Sequence, residues 1–196
     1  MIHRTAPWRV LQSVYSFKDQ WVAVRSETVE LPDGTVLSPY HTLEFPDWVC
    51  AVAVTPDLEI VLVEQYRHGA KRPMTELPAG TVEAGEGPLQ AMQRELLEET
   101  GFVSDNWLHL GTYPVNGARH TNKVHAFLAL NAHAAGPQRP DVGELLVVHK
   151  LPWNDFKADL DQGKLTFAAC QLACLFKLQL FVHGQPKNQQ LKELAL

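Results

Sequence analysis

The sequence predicts an α+β fold, on three observations: β-like alternation near the N-terminus, two short apolar runs that read as buried strands, and a helical segment bounded by a proline and a glycine. From Trp8 to Phe45, Val22, Val24, Thr28 and Glu30 fall in one alternating frame. Pro32-Asp33-Gly34 makes a turn before Val36, so this stretch reads as a small antiparallel sheet. Val49–Val54 and Ile60–Val63, separated by Thr55-Pro56-Asp57, read as two strands buried on both faces. A helix follows from Pro88, because proline suits a first turn, and stops at Gly101, a natural residue just past a helix end. Strands are expected around Trp107–Tyr113, Val124–Leu130 and Leu145–Val148, a long loop over Asn131–Gly143, and helices over Trp153–Asp161 and Phe167–Val182. This divides the chain into an N-terminal sheet over residues 1–47, a main domain over 48–184 and a polar, loosely held tail over 185–196.

Composition narrows the function. The chain has 196 residues, 45% hydrophobic and 20% charged, with net charge −5. An acidic balance argues against broad attachment to nucleic acid or anionic membrane, either of which favours a basic face. The N-terminus lacks the apolar run of a signal peptide, and no stretch approaches the ~18 apolar residues of a membrane span. A cytoplasmic protein is expected. Cys50, Cys170 and Cys174 are too few and too odd for a disulfide framework and read as buried free thiols rather than a metal site.

The charge is concentrated. Between Glu76 and Glu99 lie six glutamates and one arginine, a local charge of −5 that equals the total. On a helix at about 100° per residue, with Leu89 at zero, Met92 and Leu96 fall near 300° and 340° and form an apolar stripe. Glu95, Glu98 and Glu99 fall near 240°, 180° and 280°, so Glu99 is expected at the edge of that stripe. A solvated acidic face would ordinarily be relieved by Lys or Arg one turn away, yet no lysine occurs between Lys71 and Lys123. Clustered hard oxygen donors suit Mg²⁺ or Mn²⁺, with Glu95 and Glu99 aimed at one ion and Glu98 reaching it or a second. Arg94 is positioned to pair with Glu86 and flank Glu98. Gly80 would let the Ala79 carbonyl turn inward as another ligand.

Gly80, Glu86, Arg94, Glu95, Leu96, Glu98, Glu99, Gly101 and Phe102 together match every fixed position of the Nudix box, and the chain resembles Nudix hydrolases. The resemblance implies an α/β/α sandwich around a mixed sheet and metal-dependent cleavage of a nucleoside diphosphate linked to another moiety. Val63-Glu64-Gln65-Tyr66-Arg67 and Glu76-Leu77-Pro78-Ala79-Gly80 are similar to the ADP-ribose pyrophosphatase and nucleoside-diphosphate-sugar hydrolase branch. That likeness implies a homodimer formed through the N-terminal sheet, contact of Arg67 with phosphate or terminal sugar, and orientation of Arg67 by Glu76. Pro114 is similar to a downstream proline of that branch, but Val115–His120 depart from its acidic continuation. Arg119 thus adds a basic substrate contact and leaves another nucleotide sugar, such as GDP-mannose, open.

The implied reaction is in-line attack of water on phosphorus, giving a nucleoside monophosphate and a sugar phosphate. Glu144 is the favoured general base, with Glu98 and Asp141 as alternatives. His120 and His125 lack a third ligand and read as surface or hydrogen-bonding residues. Trp48, Tyr113 and Phe127 suit base stacking and core packing equally. A non-catalytic nucleotide-sugar sensor and an RNA 5′-pyrophosphohydrolase are the competing readings, the first disfavoured by the intact box and the second by the charge.

Overall fold

Two adjacent strands that part company shape the core. In the computed structural model, which describes residues 6–141, 143–185 and 189–195, the chain divides into two units, residues 1–46 with 114–123 and residues 47–113 with 124–196.

The first unit is a three-stranded antiparallel sheet in the order β1 (Arg9–Lys18), β2 (Ala23–Glu30), β3 (Val36–Glu44). Its buried frame on β2 is Ala23, Glu27 and Val29, the opposite of the Val24–Thr28–Glu30 frame. Glu27 is tolerated there because Arg25, Ser13 and Thr42 all reach its carboxylate. Every residue of β1 is exposed. The 114–123 segment joins this unit through the Leu43 and Thr121 amides, which donate to the Arg119 and Leu43 carbonyls.

In the second unit β4 (Trp48–Val54) and β5 (Glu59–Arg67) pair only at Ala53–Val61 and Val54–Ile60. Beyond that they diverge, and the gap is filled by β6 (Arg72–Glu76) on β5 and β7 (Ala79–Thr81) on β4. Leu77, fully buried, and Pro78 form the bend of this fork. Next come α1 (Pro88–Thr100), β8 (Phe102–Val103), β9 (Asn106–Pro114), β10 (Lys123–Leu130), β11 (His133–Ala134) and β12 (Val147–Pro152). The chain continues with α2 (Trp153–Asp161), α3 (Ala169–His183) and α4 (Gln189–Lys192). The main sheet runs β12-β5-β4-β10-β9, with β10 parallel to β4 and β5 antiparallel to it, so the sheet is mixed.

Both faces of β4 are covered, which accounts for its unbroken apolar run. Val49, Ala51 and Ala53 pack with Ala91, Met92 and Leu96 of α1, while the Cys50 thiol on the other face meets Cys174 of α3. The expected α/β/α sandwich is thus present, and the three cysteines are free thiols.

Four local expectations are corrected. Leu145 and Leu146 are not strand: β12 begins at Val147, after a turn in which Gly143 takes φ +98° and the Glu144 amide donates to the Asp141 carbonyl. Phe167 precedes α3 and packs edge-on against Phe156, with the helix starting at Ala169. Leu89 is exposed, and the buried face of α1 is Ala91, Met92, Glu95, Leu96 and Glu99. The tail is held where it is described, because Leu191 and Leu194 are buried and Gln179 and Lys157 donate to the Leu194 and Ala195 carbonyls; residues 186–188 and 196 of that expectation lie outside the described residues.

Candidate active site

Helix α1 starts at Gly87, whose amide donates to the Gln90 side chain, and ends at Gly101 with φ +73°. Glu99 lies in the middle of its buried face rather than at the edge, since Ala91 and Glu95 flank it on one side and Met92 and Leu96 on the other. Glu99 is 1% exposed, and its carboxylate accepts the Ala79 amide at 2.9 Å. Burial, reinforced by the nearby charges of Glu95 and Glu144, pushes its pKa up to about 8 against the pull of that amide and of Arg67. Glu95 accepts the Thr81 amide at 3.2 Å and one Arg94 N–H at 3.0 Å. Burial raises its pKa as well, and Arg94 opposes the rise.

The tip of the fork meets this helix at close quarters. Gly80 has no left-handed φ, and its requirement is space: a Cβ there would fall 1.9 Å from the carboxylate carbon of Glu95. Ala79 engages the site through its amide, the donor to Glu99.

Arg94 spends all five of its N–H groups. Nε and Nη2 grip the two oxygens of Glu86, each at 3.0 Å. Nη1 bridges Glu95 and Glu98, and Nη2 also donates to the Thr81 carbonyl. The guanidinium holds the Glu86 carboxyl below the usual carboxylate range, and its own pKa is raised in turn, first by Glu86. Glu98 is the most exposed of the three helix carboxylates, at 36%.

Glu76, at the end of β6, is buried and accepts Nε and Nη2 of Arg67 at 2.9 and 2.6 Å on a single oxygen. Gln65 donates to the same oxygen at 3.3 Å. Gln171 of α3, buried beneath the bend, donates to the Leu77 carbonyl. Gln171 carries no signal in the sequence, since it becomes notable only when the helix is brought against the bend.

The loop after β11 docks on the end of α1. Ala135 and Gly136 amides donate to the Gly101 carbonyl, the Arg139 amide to the Glu98 carbonyl, and the Gln138 side chain to the Glu99 carbonyl at 2.5 Å. Glu144, further along, accepts the Asp141 amide at 3.1 Å, and its charge acts on both Glu95 and Glu99. The structure thus brings Ala79, Gly80, Glu86, Arg94, Glu95, Glu98, Glu99, Gly101 and Glu144 to one region of the second unit. Arg119 belongs to the first unit, where it stacks 4.1 Å over Tyr40 and donates to the His41 carbonyl.

His125 bonds to Thr112 and Asp47, and His120 lies against Phe45. Phe127 is buried edge-on to Trp107, Tyr113 donates to the Leu110 carbonyl, and Trp48 is half-buried on β4 opposite Thr81. Among the described residues no three His, Cys, Asp or Glu side chains already converge on one point. The chemistry of the donor set nevertheless fits a hard divalent cation. Three carboxylates line one helix, the charge of a fourth, Glu144, acts on two of them, and the most buried, Glu99, makes no ion pair with Arg94.

Comparison with known proteins agrees with this geometry. The NUDIX domain family matches residues 45–169, and the nucleoside diphosphate sugar hydrolase N-terminal domain matches residues 8–43. The chain is 34% identical over 113 residues to an ADP-ribose pyrophosphatase of Bacillus subtilis, covering 58% of this chain and 60% of that one. It is 31% identical over 121 residues to a methanol dehydrogenase activator of Bacillus methanolicus, covering 62% and 65%. The aligned region thus spans less than two thirds of these relatives. A solved structure of an ADP compounds hydrolase superposes with TM-score 0.78 at 20% identity, covering 95% of this chain and all of that one, a likeness of fold.

Proposed function

Because the chain belongs to the Nudix family, we propose that it is a metal-dependent hydrolase of ADP-ribose or a related nucleoside diphosphate sugar, releasing a nucleoside monophosphate and a sugar phosphate. The observation that carries this reading is the complete box assembled around the tip of the fork, with Glu95, Glu98 and Glu99 on one helix and Glu144 acting on the same charge cluster. The substrate class is supported by the N-terminal match to nucleoside diphosphate sugar hydrolases and by the ADP-ribose pyrophosphatase relative.

Glu95, Glu98 and Glu99, with the Ala79 carbonyl, would hold Mg²⁺ or Mn²⁺. Such an ion, when bound, neutralises the diphosphate and makes a bound water acidic enough to be activated near neutral pH. Arg94 keeps Glu95 and Glu98 facing the same side, and Glu86 keeps Arg94 in place. Arg67, held by Glu76, meets a phosphate or the terminal sugar. Glu144 takes the proton of the attacking water as its oxygen bonds to one phosphorus and the bridging oxygen leaves with the other phosphate. Glu144 is favoured over Glu98, whose carboxylate is committed to Arg94, and over Asp141, whose amide serves to hold Glu144.

The protein acts as a homodimer through the first unit, a reading supported by β1, where Val10, Leu11, Val14, Tyr15 and Phe17 are all about half exposed. Three free thiols support a cytoplasmic setting, and among the described residues no helix is long and apolar enough to cross a membrane.

A panel of ADP-ribose, GDP-mannose, UDP-glucose, NADH, diadenosine polyphosphates and capped RNA with Mg²⁺ tests the proposal. AMP and ribose 5-phosphate from ADP-ribose, abolished by chelation, is the expected result. Preference for the last two substrates would overturn it, and tight binding of ADP-ribose without turnover would favour a sensor.

A further inference from the structure

We infer that Gln138 is a positioning residue, whose hydrogen bond to the backbone of the metal-ligand helix sets the loop that delivers Glu144. The inference deepens the proposed hydrolase reading and rests on it.

The last turn of a helix leaves carbonyls without intrahelical partners. In α1 these belong to the turn that carries Glu98 and Glu99, and the loop over Ala135–Arg139 supplies donors to them. Ala135 and Gly136 amides serve the Gly101 carbonyl at 2.9 and 3.3 Å, and the Arg139 amide serves Glu98 at 2.8 Å. Gln138 alone in this set uses a side chain, and it serves the carbonyl of Glu99 itself at 2.5 Å. Residue 99 is therefore gripped twice, its carboxylate by the Ala79 amide and its carbonyl by Gln138.

Contact between loop and helix end is close enough to fix residue type. A Cβ on Gly101 would fall 2.3 Å from the Gly136 carbonyl oxygen, so the box glycine admits the loop as well as ending the helix. Five residues after Arg139, Glu144 is locked to Asp141 by a reciprocal pair: the Glu144 amide donates to the Asp141 carbonyl and the Asp141 amide to the Glu144 carboxylate. The Gln138 bond thus ties the register of this segment to the helix whose side chains it must face.

The test uses the full chain and compares Gln138→Met, close in shape but without a donor, with Gln138→Lys, which keeps a donor and suits the negative end of a helix. Each is measured for kcat and KM, alone and in a Glu144→Gln background, and amide exchange is followed at Ala135, Gly136 and Arg139. Gln138→Met should lower kcat about five- to tenfold, the scale of one lost hydrogen bond, with KM held, and speed exchange at the three amides. Gln138→Lys should stay within about twofold of the parent. In the Glu144→Gln background Gln138→Met should add little.

A kcat loss of equal size in both backgrounds, or loss in Gln138→Lys equal to that in Gln138→Met, would overturn the inference. So would unchanged exchange at the three amides. If Glu144→Gln itself left kcat untouched, the assignment of the base in the hydrolase reading would fall. Accelerated exchange in Gln138→Met would then still show the clamp, and its absence would remove that too.

Discussion

Gly80 and Glu95 share a space that admits only one side chain: a Cβ on residue 80 would overlap the Glu95 carboxylate, 1.9 Å from its central carbon. Gly80→Ala must therefore push Glu95 out of line with Glu99 and off the Thr81 amide. Activity should fall at least ~30-fold, with a stability loss of about 1–3 kcal/mol from overpacking. Steady-state kinetics and urea unfolding measure the two effects, and near-parental values in both would show that the fork tip yields easily.

Glu99→Gln separates stability from activity. The isostere keeps an acceptor for the Ala79 amide and removes a charge that the site resists. Activity should drop ~100-fold or more, while the metal-free variant is at least as stable as the parent. A metal-free variant that melts well below the parent would contradict this account of the site.

The same carboxylate predicts a pH slope. The folded pKa of Glu99, about 8, lies above the ordinary value of 4.5, so in that window the folded chain retains a proton that the unfolded chain has released. Stability of the metal-free protein should be highest near the acid end of this window and fall as pH rises through about 8. Glu99→Gln should flatten the slope, and saturating Mg²⁺ should oppose it by binding the ionised form. Thermal melts across pH, with and without metal, read this directly.

Arg94→Lys keeps the charge and loses the fork. One ammonium cannot replace five directed N–H groups on Glu86, Glu95, Glu98 and the Thr81 carbonyl. A loss of about 1–3 kcal/mol is expected in urea, accompanied by weaker Mg²⁺ binding in a calorimetric titration. Unchanged metal affinity would mean that the carboxylates are placed by packing alone.

Much of this was legible in the residues. The bounds of α1, the buried strands β4 and β5 and the box pairing of Arg94 follow from proline, glycine and charge spacing, which act locally. What escaped depends on residues distant in the chain. Strands β6 and β7 are only 5 and 3 residues long and carry Pro73 and Gly80, so neither propensity nor alternation announces them; they exist because β4 and β5 separate. Glu99 sits at the edge of the stripe that starts from Leu89, but Leu89 is exposed and the sheet buries the face centred on Glu99 itself. Gln138 was invisible for the same reason: a loop glutamine acquires meaning only from the helix end beneath it.

The fork has one consequence for how the chain can change. Glu76 closes the strand on β5 and Ala79 opens the strand on β4, with two residues, Leu77 and Pro78, between them. Side chains alternate faces along a strand, so adding or deleting one residue here would turn over one strand relative to the other. Either Glu76 would leave Arg67 or Ala79 and Gly80 would leave the carboxylates of α1. Spacing in this bend is therefore as binding as any side chain: substitutions at Leu77 are a matter of packing, whereas an insertion or deletion would split the site into halves that no longer face one another.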